Sequence, residues 1–339
     1  MVKHCYMDNT KILTTVFIVS TILLAGFIGT NMNGETLTGF LGSVEYESIG
    51  EWEYTGNQIS DQDFRNITGL ETNVKWKFFC NTEKVGETKD EEFEFSWNNC
   101  REKSVELFLE NPGEVEKLRL RPSRQEAVLE GEVPEEISKL ENVEKIDLGK
   151  NSLEGEIPGE LEELQSLEEL NLEENKFNNG IIKLEGIKTI NLSSNNFSGE
   201  VSLQSFENLE SIDISWNDFK GYIPDLSGNR NITEIKMQEN NFTDYHNSSL
   251  SNLPNLGESK GVFLYGNSFS QQDIDSILSD IRENTEKHGI YNMTLDIKDT
   301  TPPSVDGFND KDWLQEQGME VKVQYVSLVS LPDELVTNR

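Results

Sequence analysis

Carboxylates dominate the groups in this sequence that could move a proton, and their abundance removes their diagnostic value. The 339 residues hold 62 Asp and Glu against 29 Lys and Arg, so no two of them stand out as an acid and a base. Histidine is scarce: His4, His246 and His288 are the whole supply. His4 adjoins an apolar run. The other two sit in polar segments, His246 with Asp244 and Ser248 as neighbours in one turn. No G-x-S-x-G, H-E-x-x-H, Gly-rich phosphate loop or EF-hand loop occurs. The sequence therefore predicts no enzyme, no resident metal and no cofactor. The net charge is 29 − 62 = −33, which repels phosphate backbones and anionic headgroups and excludes nucleic acid as a partner. Such an acidic coat suits either a high-salt habitat or a soluble cell-surface chain. With hydrophobic residues at 35%, a core is expected only in thin layers.

With chemistry set aside, the question becomes what surface the chain builds and where it is delivered. Ile12–Gly29 runs without a charge, after Lys3 and Lys11 and ahead of Glu35, Glu45 and Glu47. That length just spans a bilayer core as a helix, and the charge order places downstream residues outside. Residues 1–30 are therefore a signal peptide or a signal-anchor transmembrane helix, and the poor cleavage pattern around Gly26 and Gly29 leaves both open. In an exported chain Cys80 and Cys100 read as one disulfide, with Cys5 left in the leader. Seven N-x-S/T sequons, at Asn66, Asn191, Asn196, Asn231, Asn241, Asn247 and Asn292, agree with export, although Asn-rich turns generate such triplets by composition.

The middle of the chain repeats. Val143, Ile146, Leu148 and Asn151 are followed at the same spacing by Leu167, Leu170, Leu172 and Asn175, then Ile187, Ile190, Leu192 and Asn195. Leu209, Ile212, Ile214 and Asn217 continue the series, then Ile232, Ile235, Met237 and Asn240. Degenerate copies flank it, with Ser123 at the Asn place on one side and Val262, Leu264 and Asn267 on the other. Period-2 apolar residues such as Ile146 and Leu148 make one face of a short strand, too small to be buried by a single copy. This L-x-x-L-x-L-x-x-N pattern resembles the leucine-rich repeat family. Extensions such as Leu153-Glu-Gly155-Glu-Ile157-Pro158 and Phe219-Lys-Gly221-Tyr-Ile223-Pro224 resemble its plant-type and microbial extracellular subclass.

The resemblance implies an α/β solenoid, a right-handed leucine-rich repeat horseshoe with a parallel β-sheet on the concave face and a cap at each end. It implies that Asn151, Asn175, Asn195, Asn217, Asn240 and Asn267 form a ladder whose amides bond turn backbone. The expected division is an N-terminal cap or stalk over residues 31–110 with the Cys80–Cys100 disulfide, repeats over 111–269, a C-terminal cap over 270–325 and a tail over 326–339. Within the C-terminal cap, helical spacing predicts a helix over Ser270–Lys287; a strand near Met293–Ile297, a short helix over Lys311–Gln317 and a strand over Glu320–Tyr325 follow. The concave face would carry Arg119, Asp147, Asn171, Asn191, Asp213, Lys236 and Phe263, with Glu173, Ser215, Trp216, Gln238 and Tyr265 one step on. Arg119, Asp147, Asn171, Asp213, Trp216, Lys236, Phe263 and Tyr265 are the binding candidates, the aromatics foremost. Glu116, Glu144, Glu168, Glu169 and Glu210 read as solvated strand ends. Asn191 is both on this face and in a sequon, and a glycan there would obstruct the groove. The implied function is an exported, non-enzymatic recognition module at the cell surface or secreted, binding a protein, peptide or glycan, with membrane attachment through the N-terminal segment if it is uncleaved. A structural spacer or adhesin, and an inhibitor of a secreted hydrolase, are the competing readings.

Overall fold

The computed structural model describes residues 46–325 except 56–57, 61–67, 70–73, 89–93, 98–99, 123–127, 180–183, 204–205, 247, 258–259 and 299. The apolar run Ile12–Gly29, His4, Cys5, Asn66, Ser123, Asn247 and the tail over 326–339 lie outside the described residues. Among those described, no helix is long and apolar enough to cross a membrane.

The chain begins with antiparallel structure. Strands β1 (Glu47–Tyr54), β2 (Gln58–Ser60), β3 (Thr68–Gly69), β4 (Val74–Cys80), β5 (Glu83–Glu87), β6 (Glu94–Ser96) and β7 (Lys103–Leu109) precede the repeats. Alternation sets their faces: Trp52, Trp76, Phe78, Val105 and Leu107 are buried, while Glu51, Glu53 and Glu106 between them point the other way. Trp97 packs on Tyr54 and Phe78 at 5.2 and 5.7 Å, and its indole N–H donates to the Phe79 carbonyl. A Cys80–Cys100 disulfide, with Cα atoms 5.6 Å apart, ties the end of β4 to the approach to β7.

The repeats then alternate two kinds of strand. One set is β8 (Val115–Arg119), β10 (Lys145–Asp147), β12 (Glu169–Asn171), β14 (Thr189–Asn191), β16 (Ser211–Asp213), β18 (Glu234–Lys236) and β20 (Gly261–Phe263). These are parallel and in register, with Leu118, Ile146, Leu170, Ile190, Ile212, Ile235 and Val262 stacked inward and buried. The intervening set is β9 (Leu129–Gly131), β11 (Ser152–Glu156), β13 (Lys176–Asn179), β15 (Ser198–Gly199), β17 (Asp218–Tyr222) and β19 (Asn241–Asp244). From β11 to β19 each follows a ladder asparagine, and a buried aromatic spine runs beside them: Phe177, Phe197, Phe219 and Phe242 stack with centroids 6.3, 5.9 and 6.4 Å apart. The glycine of each extension earns its place here. Gly155 sits at φ +84° with a neighbouring Glu132 side chain 3.0 Å from where a Cβ would lie.

The six ladder asparagines are the cross-links between repeats. Each is buried, and each spans two layers. The Oδ1 of Asn217 accepts the Phe197 N–H, while its Nδ2 donates to the Leu192 and Ile214 carbonyls at 3.0 and 3.2 Å. The same three bonds recur at Asn175, Asn195, Asn240 and Asn267, one repeat at a time. Asn151 makes the first set, to Leu129, Leu120 and Leu148. Backbone groups that stacking takes from water are thereby paired.

At the C-terminal end the convex segments become helices. α1 (Gln271–His288) opens on a capping box between Ser270 and Asp273 and closes on Gly289 in the left-handed region. β21 (Thr294–Ile297), α2 (Val305–Glu316) and β22 (Glu320–Val323) follow. α2 starts six residues before the expected Lys311, because Ser304 caps it by accepting the Gly307 N–H. β21 and β22 extend the inner ladder to nine parallel strands from β22 to β8, and β3, antiparallel at the β8 edge, makes it a ten-stranded sheet. The N-terminal strands do something the sequence did not suggest. β1 pairs with β9, and the antiparallel cap thereby runs straight into β11 and β13 as one seven-stranded sheet. The fold is a leucine-rich repeat solenoid.

Candidate functional site

Among the described residues, every repeat contributes to the outward face of the ten-stranded sheet in the same register. Its principal row, read across the register, is Arg119, Asp147, Asn171, Asn191, Asp213, Lys236, Phe263, Asp296 and Lys322. Asp296 and Lys322 continue it beyond the residues expected from sequence, because β21 and β22 keep the register without the repeat's signature. A second row, two residues earlier on each strand, includes Lys117, Lys145, Glu169, Thr189 and Ser211.

Five members of the principal row are turn formers. Asp147, Asn171, Asn191, Asp213 and Asp296 each accept the N–H two residues on, from Gly149, Glu173, Ser193, Ser215 and Lys298. This is an Asx turn closing the strand's end. Ser193 and Ser215 add a hydroxyl donated to the same oxygen. Asp147, Asn171 and Asp213, binding candidates by position, thus also carry a structural duty. Arg119, Lys236, Phe263 and Lys322 close no such turn.

Charge on this face is largely compensated within it. At the N-terminal half, Arg119 lies 3.1 Å from Asp147, and Arg121 lies 2.6 Å from Glu173. Asn171 bridges to Asp147 and Asn191 to Glu173. Lys145 pairs with Glu169, and Lys188 with Glu168 at 2.6 Å. At the C-terminal half, Lys236 lies 3.1 Å from Glu234 and 4.0 Å from Asp213. Asp296 is buried between Lys322 and Lys298, and the Lys298 ammonium stands 4.9 Å from the Tyr265 ring centroid. Burial pushes the Asp213 carboxyl above its ordinary value, against the opposing pull of the Ser215 bonds and Lys236.

Trp216 is not on these rows. It occupies the turn beyond them, in a column of left-handed residues with Lys150, Glu174, Ser194 and Glu239, at φ +56°. Its N–H donates to the Gln238 carbonyl, its neighbour across the ladder is Ser194, and its side chain is 54% exposed. Two ladder steps separate it from Phe263 and Tyr265, so the three aromatics do not form one patch.

The remaining titratable groups lie elsewhere. His246 stacks on Tyr222 at 4.1 Å, and His288 meets the Asn252 side chain at 3.2 Å. Among the described residues no group of three His, Cys, Asp or Glu could hold a metal ion. The strongest perturbation is a pair that sequence reasoning missed. The Tyr245 hydroxyl donates to the Asp280 carboxylate across the junction of α1 with the last repeats and accepts the Leu250 N–H at 3.0 Å. Burial, then the adjoining carboxylate, drives the Tyr245 phenol far upward; burial also raises Asp280. A cavity of about 440 Å³ between α1 and α2 is lined by Asp275, Asp280, Asp306 and Asp310.

No family model matches this sequence, and no curated protein does. Solved structures do. The plant peptide hormone receptor RGFR1, in complex with RGF2, is 20% identical over 57% of this chain and 30% of its own, with a TM-score of 0.46. The Arabidopsis receptor kinase HAESA, in complex with the peptide hormone IDA and the co-receptor SERK1, is 22% identical over 58% and 31%, with a TM-score of 0.46. A plant ice-binding protein is 21% identical over 51% and 54%, with a TM-score of 0.43. This chain thus spans less than a third of the length of either receptor.

Proposed function

We propose that the protein is an exported, non-enzymatic recognition module that takes its ligand on the outward, concave face of the ten-stranded sheet. One observation carries this. Where the fold asks for an Asx residue, the principal row supplies one at Asp147, Asn171, Asn191, Asp213 and Asp296. At Lys236 and Phe263 it supplies a cation and a phenyl ring that close no turn, with Tyr265 following on the same strand end. Side chains that folding does not require are the ones free to be chosen for contact. The same argument admits Arg119, although its ion pair with Asp147 satisfies it internally.

The test is retention of material from the surrounding medium on the immobilised full chain. Wild type is expected to hold a partner that Phe263→Ala and Lys236→Ala each release at least tenfold more readily. Equal retention by all three would remove the concave-face reading and favour a spacer, whose outward face has no partner to lose.

A further inference from the structure

The outward face is not uniform. Over β14 and β16 the side chains turned away from the core are Thr189, Asn191, Ser211 and Asp213, with Ser193, Ser194 and Ser215 in the turns that follow. In a chain with 62 carboxylates, this span holds one, Asp213, and that one is tied to the Ser215 N–H and hydroxyl. The charges at its borders are compensated: Glu173 pairs with Arg121 and accepts from Asn191, and Lys236 lies between Glu234 and Asp213. The hydroxyls of Thr189, Ser194 and Ser211 have no hydrogen-bond partner among the described residues. Gln238, one step past Ser215, buries its Oε1 with no donor. On the rim of this window stands Trp216, the most exposed tryptophan described.

We propose that this window is a binding site for a neutral oligosaccharide, with a sugar ring stacked on the Trp216 indole and ring hydroxyls exchanging hydrogen bonds with Thr189, Ser194 and Ser211. The proposal rests on the concave-face reading and narrows it. Hydroxyl and amide groups both donate and accept, which matches vicinal diols. A flat, solvent-facing ring beside small residues offers a stacking surface without a pocket, whereas a peptide's anchor side chains need one. The two cavities described, between α1 and α2 and around Glu47, Glu110, Glu114 and Glu141, lie away from the window and are lined with acids. An anionic sugar would meet an acidic protein on all sides of it, so the ligand is uncharged.

The experiment titrates the full chain with cellohexaose and mannohexaose as neutral probes and hexagalacturonate as the charged one, read by calorimetry and by indole fluorescence. At least one neutral probe is expected to bind and shift the emission, with no response to the charged one. Trp216→Ala and Ser211→Glu each weaken that binding tenfold or more, and Trp216→Phe restores part of it. Absence of binding by both neutral probes, or binding indifferent to Trp216→Ala, overturns the proposal. So does an intact mass showing a glycan on Asn191, which would fill the window from within. If a displayed random-peptide library yields binders that Trp216→Ala abolishes while both neutral sugars fail, the window is a peptide site and the concave-face reading survives without the saccharide.

Discussion

Asparagine and its acid fill two rows of this molecule, a few residues apart in every repeat, and the rows obey different rules. The inner row, Asn151 to Asn267, is Asn at all six places. The outer row reads Asp147, Asn171, Asn191, Asp213 and, after a gap, Asp296. Hydrogen bonding explains the difference. In the inner row each side chain is buried and must accept one N–H while donating to two carbonyls, which only a neutral amide does. In the outer row the turn uses a single acceptor oxygen, so a carboxylate serves equally well and water attends to the rest. Identical chemistry is thus fixed where burial makes an unpaired group costly and free to vary where it does not.

The largest effect expected from breaking that comparison is at Asn217. Asn217→Ala orphans the Phe197 N–H, while the Leu192 and Ile214 carbonyls keep a second donor each, from Asn195 and Asn240. One buried unpaired donor plus the void left by the amide gives a loss of about 2–4 kcal/mol, measured by chemical denaturation. Asn217→Asp should cost more than Ala, since it turns a carboxylate oxygen on two carbonyls. If Asp is the milder change, the account of the inner row is wrong.

Next in size is the Tyr245–Asp280 pair. A phenol whose folded pKa is raised above its ordinary 10.0 contributes stability that is complete below that value and is lost as pH rises beyond it. The expected result is a fall in the unfolding midpoint above about pH 10 that Tyr245→Phe abolishes. Tyr245→Phe also leaves the Leu250 N–H without this acceptor, so at neutral pH it should be destabilising by roughly 1–3 kcal/mol.

Much of this was open to inspection in the residues alone. The strand ladder and the inner asparagines follow from the repeat's period, and helical spacing from Ser270 to Lys287 marks α1. Other features left no such trace. α2 opens with Val305, Asp306 and Gly307, a stretch without apolar periodicity, and only the Ser304 cap betrays it. The union of the N-terminal sheet with β9, β11 and β13 depends on β1 meeting Leu129 some seventy-five residues on, a pairing that local pattern does not encode. Trp216 is expected one step past the outward column of strand residues, and the left-handed backbone at Trp216 sets it in the turn beyond those rows. The outer row's structural duty was hidden for a different reason: an Asx turn looks the same in sequence as a polar contact residue.

The outer row supplies the smaller predictions. Asn171→Ala removes the acceptor for the Glu173 N–H and the donor to Asp147 at a half-exposed site, for a loss of about 0.5–1.5 kcal/mol, well below that at Asn217. Asp213→Asn is the smallest and the most discriminating, because the acceptor for Ser215 is kept and only the charge goes. The folded pKa of Asp213 is raised by burial, so the wild-type carboxyl contributes stability that is full below the ordinary carboxylate value and lost as pH rises through the folded one. The amide variant should therefore match wild type in acid and gain on it towards neutrality, less whatever attraction to Lys236 is given up across 4.0 Å. Denaturation midpoints at pH 3 and pH 7 decide the matter: a variant that gains in acid instead would mean that the Lys236 attraction outweighs burial, and the window over β16 would then carry a working charge.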